Sequence, residues 1–192
     1  MKALIWFGLS LIVSSSWPLA QASERSPCDQ QPTRAGWHVF VDYKDGFCFE
    51  YPAKYHVAPA VFAPGVGPGV AHRFIARLTT NPSPAEDASA ADPMTATINI
   101  FAYGMPFRPT KLNFFAPTGL QDIPPQRIQA AHGEFYYYGP GGGGVDYPDD
   151  FFFGVRGRTF SIEFTGPYSR DKTPDAVTKE VEPEVLESFR SF

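Results

Sequence analysis

Two alternating hairpins and one apolar stripe of period four stand out along the chain. Trp37-His-Val-Phe-Val-Asp-Tyr43 and Phe47-Cys-Phe-Glu-Tyr51 are rich in aromatic and β-branched residues and flank Lys44-Asp45-Gly46. Gly tolerates the positive φ of a tight turn, so the two runs predict a hairpin. Phe47, Phe49 and Tyr51 then share one face, Cys48 and Glu50 take the other, and Pro52 ends the strand. Asp150 to Arg156 and Thr159 to Phe164 predict a second hairpin about Gly157-Arg158, with Phe160, Ile162 and Phe164 on its buried face and Ser161 turned outward. Between the hairpins, Val70 to Thr79 alternates and places Arg73 and Arg77 together on a wet face. Thr95 to Tyr103 and Gly133 to Tyr138 predict further strands, the first with Asn99 partly exposed.

Near the C-terminus the period changes. Val177, Val181, Val185 and Phe189 recur every fourth residue, with Thr173 as N-cap and Pro174 at the first helical position. Pro183 inside this pattern predicts a kink or two short helices. The remaining segments are punctuated. Ser23 to Gly36 reads as an extended lead-in, residues 58–69 as a Pro/Gly-rich loop and Asn81 to Pro93 as a surface excursion. Residues 104–132 carry five prolines and no clean period, which predicts irregular structure. Gly139-Pro-Gly-Gly-Gly-Gly144 reads as a flexible connection.

The first residues have a separate meaning. Lys2, an apolar run from Leu4 to Val13 and Ala20-Gln21-Ala22 are the parts of a secretory signal peptide, 1–22, and the run is too short to span a bilayer. The expected product is a single α+β domain over 23–192, with 23–36 as its lead-in, periplasmic or secreted, with no stable membrane insertion once the signal is cleaved after Ala22. Aromatics make up 16% of the chain, which excludes a disordered protein, and the net charge of −4 removes a general electrostatic case for nucleic acid. Export also decides the cysteines. Cys28 and Cys48 are the only two, so an oxidising compartment predicts a disulfide between them.

Two stretches resemble the PsbP-like family, which includes many small exported bacterial proteins. One is Tyr43-Lys-Asp-Gly-Phe-Cys-Phe-Glu-Tyr-Pro52; the other is Arg158-Thr-Phe-Ser-Ile-Glu-Phe164 together with Val181 to Phe192, where Leu186-Glu-Ser-Phe-Arg-Ser-Phe192 is similar to a helix-end signature. The resemblance implies a central antiparallel sheet flanked by helices, an α+β fold class, here with Pro/Gly-rich loops. It also implies a role as an assembly factor, chaperone or accessory subunit.

Candidate chemistry is sparse. His38, His56, His72 and His132 are scattered, with no H-x-H or H-E-x-x-H spacing, and no Ser lies in G-x-S-x-G. The glycine run lacks the following Lys-Ser/Thr of a phosphate-cradling loop. The sequence therefore predicts a non-enzymatic binding, assembly or accessory protein without a cofactor. Its partner would be a protein or small ligand of the cell envelope. A contact loop is expected around Tyr138, Gly141, Gly142, Gly143, Gly144 and Tyr147, because tyrosine suits half-wet surfaces. The alternative is a small exported metal-dependent hydrolase using His132, Glu134 and the carboxylates Asp146, Asp149 and Asp150, whose oxygens suit a hard cation.

Overall fold

The computed structural model describes residues 27–29, 32–58, 72–81, 95–115, 122, 124–138, 149–165 and 176–192. The expected signal peptide, the helix start at Thr173 and Pro174, and most of the predicted loops lie outside them. The described residues form two antiparallel sheets. The smaller has the order β1 (Trp37–Asp42), β2 (Phe47–Pro52), β10 (Arg190–Ser191). The larger contains β3 (His56–Ala58), β4 (His72–Thr79), β5 (Thr97–Pro106), β6 (Gln126–Ala130), β7 (Gly133–Tyr138), β8 (Asp149–Val155) and β9 (Arg158–Thr165). Its spatial order is β3-β4-β5-β9-β8-β7-β6. One α-helix, α1 (Ala176–Ser188), and a 3-10 segment at Pro109–Phe115 complete the described elements.

This corrects the expected α+β class with helices flanking the sheet: strands dominate, and α1 is the single α-helix among the described residues. The proline-rich stretch 104–132 shows why. Each proline removes a backbone donor and disfavours helical geometry in the residue before it. The chain therefore extends β5 to Pro106, makes one 3-10 segment, and re-enters the sheet as the edge strand β6. Pro183 does not divide the C-terminal helix, which runs unbroken from Ala176 to Ser188. Its ring is on the exposed side, while Val181, Val185 and Leu186 are buried. Beyond Ser188 the chain turns into β10, where Arg190 and Ser191 pair with Cys48 and Phe47 of β2.

The two hairpins form, with local adjustments. Asp42 pairs with Phe47, and Gly46 at φ 82° donates its N–H to the Asp42 carbonyl at 2.8 Å. The second turn sits one residue earlier than the pattern indicated. Val155 pairs with Arg158, and Arg156 and Gly157 take φ 49° and 75°, the doubly positive geometry that matches the right-handed twist of a hairpin.

The core lies between one face of the large sheet and the layer made by β2 and α1. Ile98, Ile100 and Ala102 of β5, Phe160, Ile162 and Phe164 of β9, and Phe151, Phe153 and Val155 of β8 form the sheet side. Phe47 and Phe49 meet them from β2, and Val185 and Leu186 from α1. Phe189, just after the helix, stands within 5.8 Å of Phe47, 5.3 Å of Phe135 and 4.7 Å of Phe153, centroid to centroid. Offset and edge-to-face arrangements at such spacings add to the area term.

The opposite face of the large sheet is partly covered. Leu112 of the 3-10 segment packs with Phe152, Tyr103, Phe107 and Tyr136 across β8, β5 and β7. Gly154 makes this possible, because a Cβ there would collide with the Phe107 ring. Ser161 is consequently buried and shares a 3.0 Å hydrogen bond with the Tyr103 hydroxyl. Asn99, expected to be partly exposed, is 5% exposed. A bulge in β4 also overturns the placing of Arg73 and Arg77 on one face. The register jumps between Phe74 and Ala76, so Arg73 lies opposite Ala102 on the core side and Arg77 opposite Asn99 on the other.

Truncating the aromatic at the junction of all three layers tests this packing. Phe189→Ala should lower unfolding stability by about 3–5 kcal/mol, the cost of an emptied aromatic site. Urea denaturation measures it, and a loss below about 1 kcal/mol, within the range of ordinary surface changes, contradicts the packing role.

Candidate functional site

The turn between β1 and β2 is unusually constrained. Asp42 Oδ1 accepts the N–H of Lys44 at 2.9 Å and of Asp45 at 3.1 Å, which closes the turn on itself. Asp45 is thereby aimed inward, and its side chain is only 1% exposed. A buried carboxylate needs partners, and two guanidiniums supply them. Arg73 donates to Oδ2, and Arg158 donates to Oδ1 at 2.5 Å. The β4 bulge turns Arg73 toward this point, and Arg158 follows directly from the β8–β9 turn, its guanidinium 5.5 Å from the Phe160 ring. Both arginine side chains remain 41% and 48% exposed, so each keeps N–H groups facing water.

A third arginine joins them. Arg156 donates to the Phe192 carbonyl at 2.9 Å and crosses above Gly46, close enough that any Cβ at that position would strike its guanidinium. Tyr43, in the same turn, is 65% exposed. Its hydroxyl donates to Asp29 at 3.0 Å, and its ring meets Phe192 edge-on at 6.3 Å. That hydrogen bond, with the Asp29 charge behind it, raises the tyrosine pKa. One end of the molecule therefore presents an exposed tyrosine on a turn that cannot rearrange freely, beside three arginines contributed by β4, the β8–β9 turn and β9.

The lead-in is tied to the neighbouring side of β2. The Cys28–Cys48 disulfide forms with Cα atoms 5.9 Å apart. Glu50, 4% exposed, accepts the Thr33 N–H at 2.9 Å and the Thr33 hydroxyl at 3.0 Å. Its own N–H is taken by Ser188 Oγ at 2.8 Å, which continues the hydrogen bonding of β2 past the short β10.

The second polar cluster lies on the outer face of the large sheet. Asp150 of β8 is directly opposite Glu163 of β9, which in turn is opposite Asn99 of β5. Arg77 Nε donates to Asn99 Oδ1 at 2.9 Å, and Asn99 Nδ2 donates to Glu163 Oε1 at 2.7 Å. Burial raises the pKa of Asp150 well above the usual carboxylate range, with the charges of Glu163 and Asp149 adding to it. Burial raises Glu163 too, opposed by the hydrogen bonds from Asn99 and Thr165 and by the Arg77 charge.

The other sequence candidates separate. His132 is exposed in the β6–β7 turn. Glu134 engages both oxygens, one with Arg127 and one with the Tyr136 hydroxyl at 3.0 Å, and these bonds lower its pKa. Asp149 accepts the Tyr137 hydroxyl at 2.7 Å, while its neighbour Asp150 pairs toward Glu163. Among the described residues no three His, Cys, Asp or Glu side chains converge as a metal set. Tyr138 is the last residue of β7, its backbone opposite Asp150. Asp146, Gly141 to Gly144 and Tyr147 lie outside the described residues.

No family model matches the chain. No curated protein matches it either. Among solved structures it is similar to the solution structure of cyanobacterial PsbP (CyanoP) from Synechocystis sp. PCC 6803, at 16% identity and a TM-score of 0.47, covering 83% of this chain and 94% of that one.

Asp45→Ala isolates the first cluster. Removing the carboxylate that the two guanidiniums share leaves Arg73 and Arg158 facing each other, and stability should fall by about 2–4 kcal/mol. Urea denaturation at low and high salt measures this. The expected loss persists at high salt because the carboxylate is buried, whereas a loss that disappears on screening contradicts the assignment.

Proposed function

We propose that this is an exported, non-catalytic binding or accessory protein that docks an acidic partner surface through Tyr43 and the arginines around Asp45. The observation that carries the reading is a largely exposed tyrosine on a self-closed turn, beside guanidiniums that are half in water. Tyr and Arg are the side chains that dominate recognition surfaces, since both bring large contact area and directed hydrogen bonds. A turn held by Asp42 and Asp45 loses little further freedom on binding, so less of the contact energy is spent on ordering it.

The charge favours an acidic partner. Two guanidiniums share one carboxylate at Asp45, and Arg156 adds a third positive charge beside them. The remaining N–H groups match carboxylates in a fork geometry, and the field hastens encounter at low salt. Export is supported by the signal-like N-terminus and the disulfide, which an oxidising compartment maintains.

Site-specific photo-crosslinking in the exporting cell tests the proposal. An aromatic crosslinking residue at Tyr43 should capture a discrete partner, and Arg156→Glu should abolish that capture in a protein that still unfolds cooperatively. The same probe at Val57, which is 54% exposed on β3, should not capture it. Identical products from both positions, or capture that survives the charge reversal, overturns the reading.

A further inference from the structure

We propose that Asp150 and Glu163 form a proton-sharing clasp between β8 and β9, which holds the two strands together more firmly in acid than in alkali. Directly opposed residues of antiparallel strands have Cβ atoms about 4.5–5.5 Å apart, and like charges there repel. Asp150 and Glu163 occupy one such pair, at the second residue of β8. A single proton converts the repulsion into a hydrogen bond between a carboxylic acid and a carboxylate. The clasp is separate from the Tyr43 and arginine surface and does not depend on it.

The surrounding groups have distinct roles. From β5, Asn99 donates to Glu163, and Tyr103 keeps its hydroxyl on Ser161. From β4, Arg77 acts on Glu163 through Asn99. Within β9, Thr165 donates to Glu163 at 3.4 Å. Among the described residues, the charges acting on Asp150 are Glu163 and the adjacent Asp149, both negative, and both add to the effect of its burial. From β7, Glu134 is engaged by Arg127 and Tyr136. The proton therefore belongs to the pair rather than to either residue.

The sign follows from linkage. Unfolded, both carboxyls release their protons near pH 4. Folded, the raised carboxyl pKa values mean that the native state binds more protons above that point. Stability is thus fully present below about pH 4 and declines as pH rises through the raised values, then levels off. Glu134, whose pKa is lowered, acts oppositely and only at lower pH. Tyr103 and Tyr137, raised chiefly by burial, act only above the ordinary tyrosine range.

Urea unfolding of the full disulfide-bonded protein from about pH 4 to 9 tests the clasp, with a chelator present so that no cation replaces the proton. At a full one-proton difference the folding equilibrium constant of the wild type should fall about tenfold per pH unit. Asp150→Asn should flatten that slope, because it removes the more strongly raised of the two buried carboxyls, and Glu163→Gln should reduce it, because it removes the second raised carboxyl and the charge opposite Asp150. Carboxyl carbon NMR of the wild type gives a reading that needs no variant to fold: Asp150 should titrate well above the usual carboxylate range. A wild-type slope retained in both variants, or an Asp150 titration within the usual range, overturns the proposal.

Discussion

Phe189 holds the molecule together by touching all of its layers at once. It stacks on Phe47 of the small sheet, meets Phe135 and Phe153 of the large sheet edge-on, and follows the helix that covers them. Phe47 itself reaches Phe153 and Phe160 at 5.6 and 5.5 Å, so the aromatic junction is closed from both sides. A three-stranded sheet with one two-residue edge has little stability of its own. Its position against the large sheet therefore depends on this junction and on the covalent and polar ties of the lead-in, Cys28–Cys48 and Thr33–Glu50.

The charged end of the molecule depends on the same packing. Asp45 can be buried only because the small sheet is held where Arg73 and Arg158, on two different strands of the large sheet, can reach it. The arrangement couples a structural necessity to a surface property. Neutralising one buried carboxylate with two half-exposed guanidiniums leaves positive charge at the rim, in a chain whose net charge is −4. Tyr43 and Arg156 extend that rim from turns whose backbone is constrained by Asp42, Gly46 and Gly157. The outer face of the large sheet is a different device, in which hydrogen-bonded polar groups and two opposed carboxylates sit beside a small apolar cluster.

Much of the strand pattern was legible in the chain. Phe47, Phe49 and Tyr51 alternate with Cys48 and Glu50, and the single possible cysteine pairing matches the disulfide that forms. Other features leave no local trace. The alternation from Val70 to Thr79 is unbroken in sequence, so the bulge that separates Arg73 from Arg77 arises from pairing with β5 alone. Gln126 to Ala130 is too polar to announce an edge strand, and Leu112 lies in a proline-rich stretch without a period. The cluster at Asp45 draws on arginines 28 and 113 residues away, a relation that spacing does not encode. The helical surroundings implied by resemblance give way to sheet, and residues 104–132, with five prolines, supply a 3-10 segment and the edge strand β6 in place of a helix.

The central claim is that the two sheets and α1 are one cooperative unit, with the charged end held in place by that unit. Native-state amide hydrogen exchange tests it most directly. The account predicts that the most protected amides of β2, at Phe47 and Phe49, open with the same free energy as those of β9 at Phe160 and Ile162, equal to global unfolding. Exchange of β2 through a separate opening of clearly lower free energy, while β9 stays protected, contradicts it.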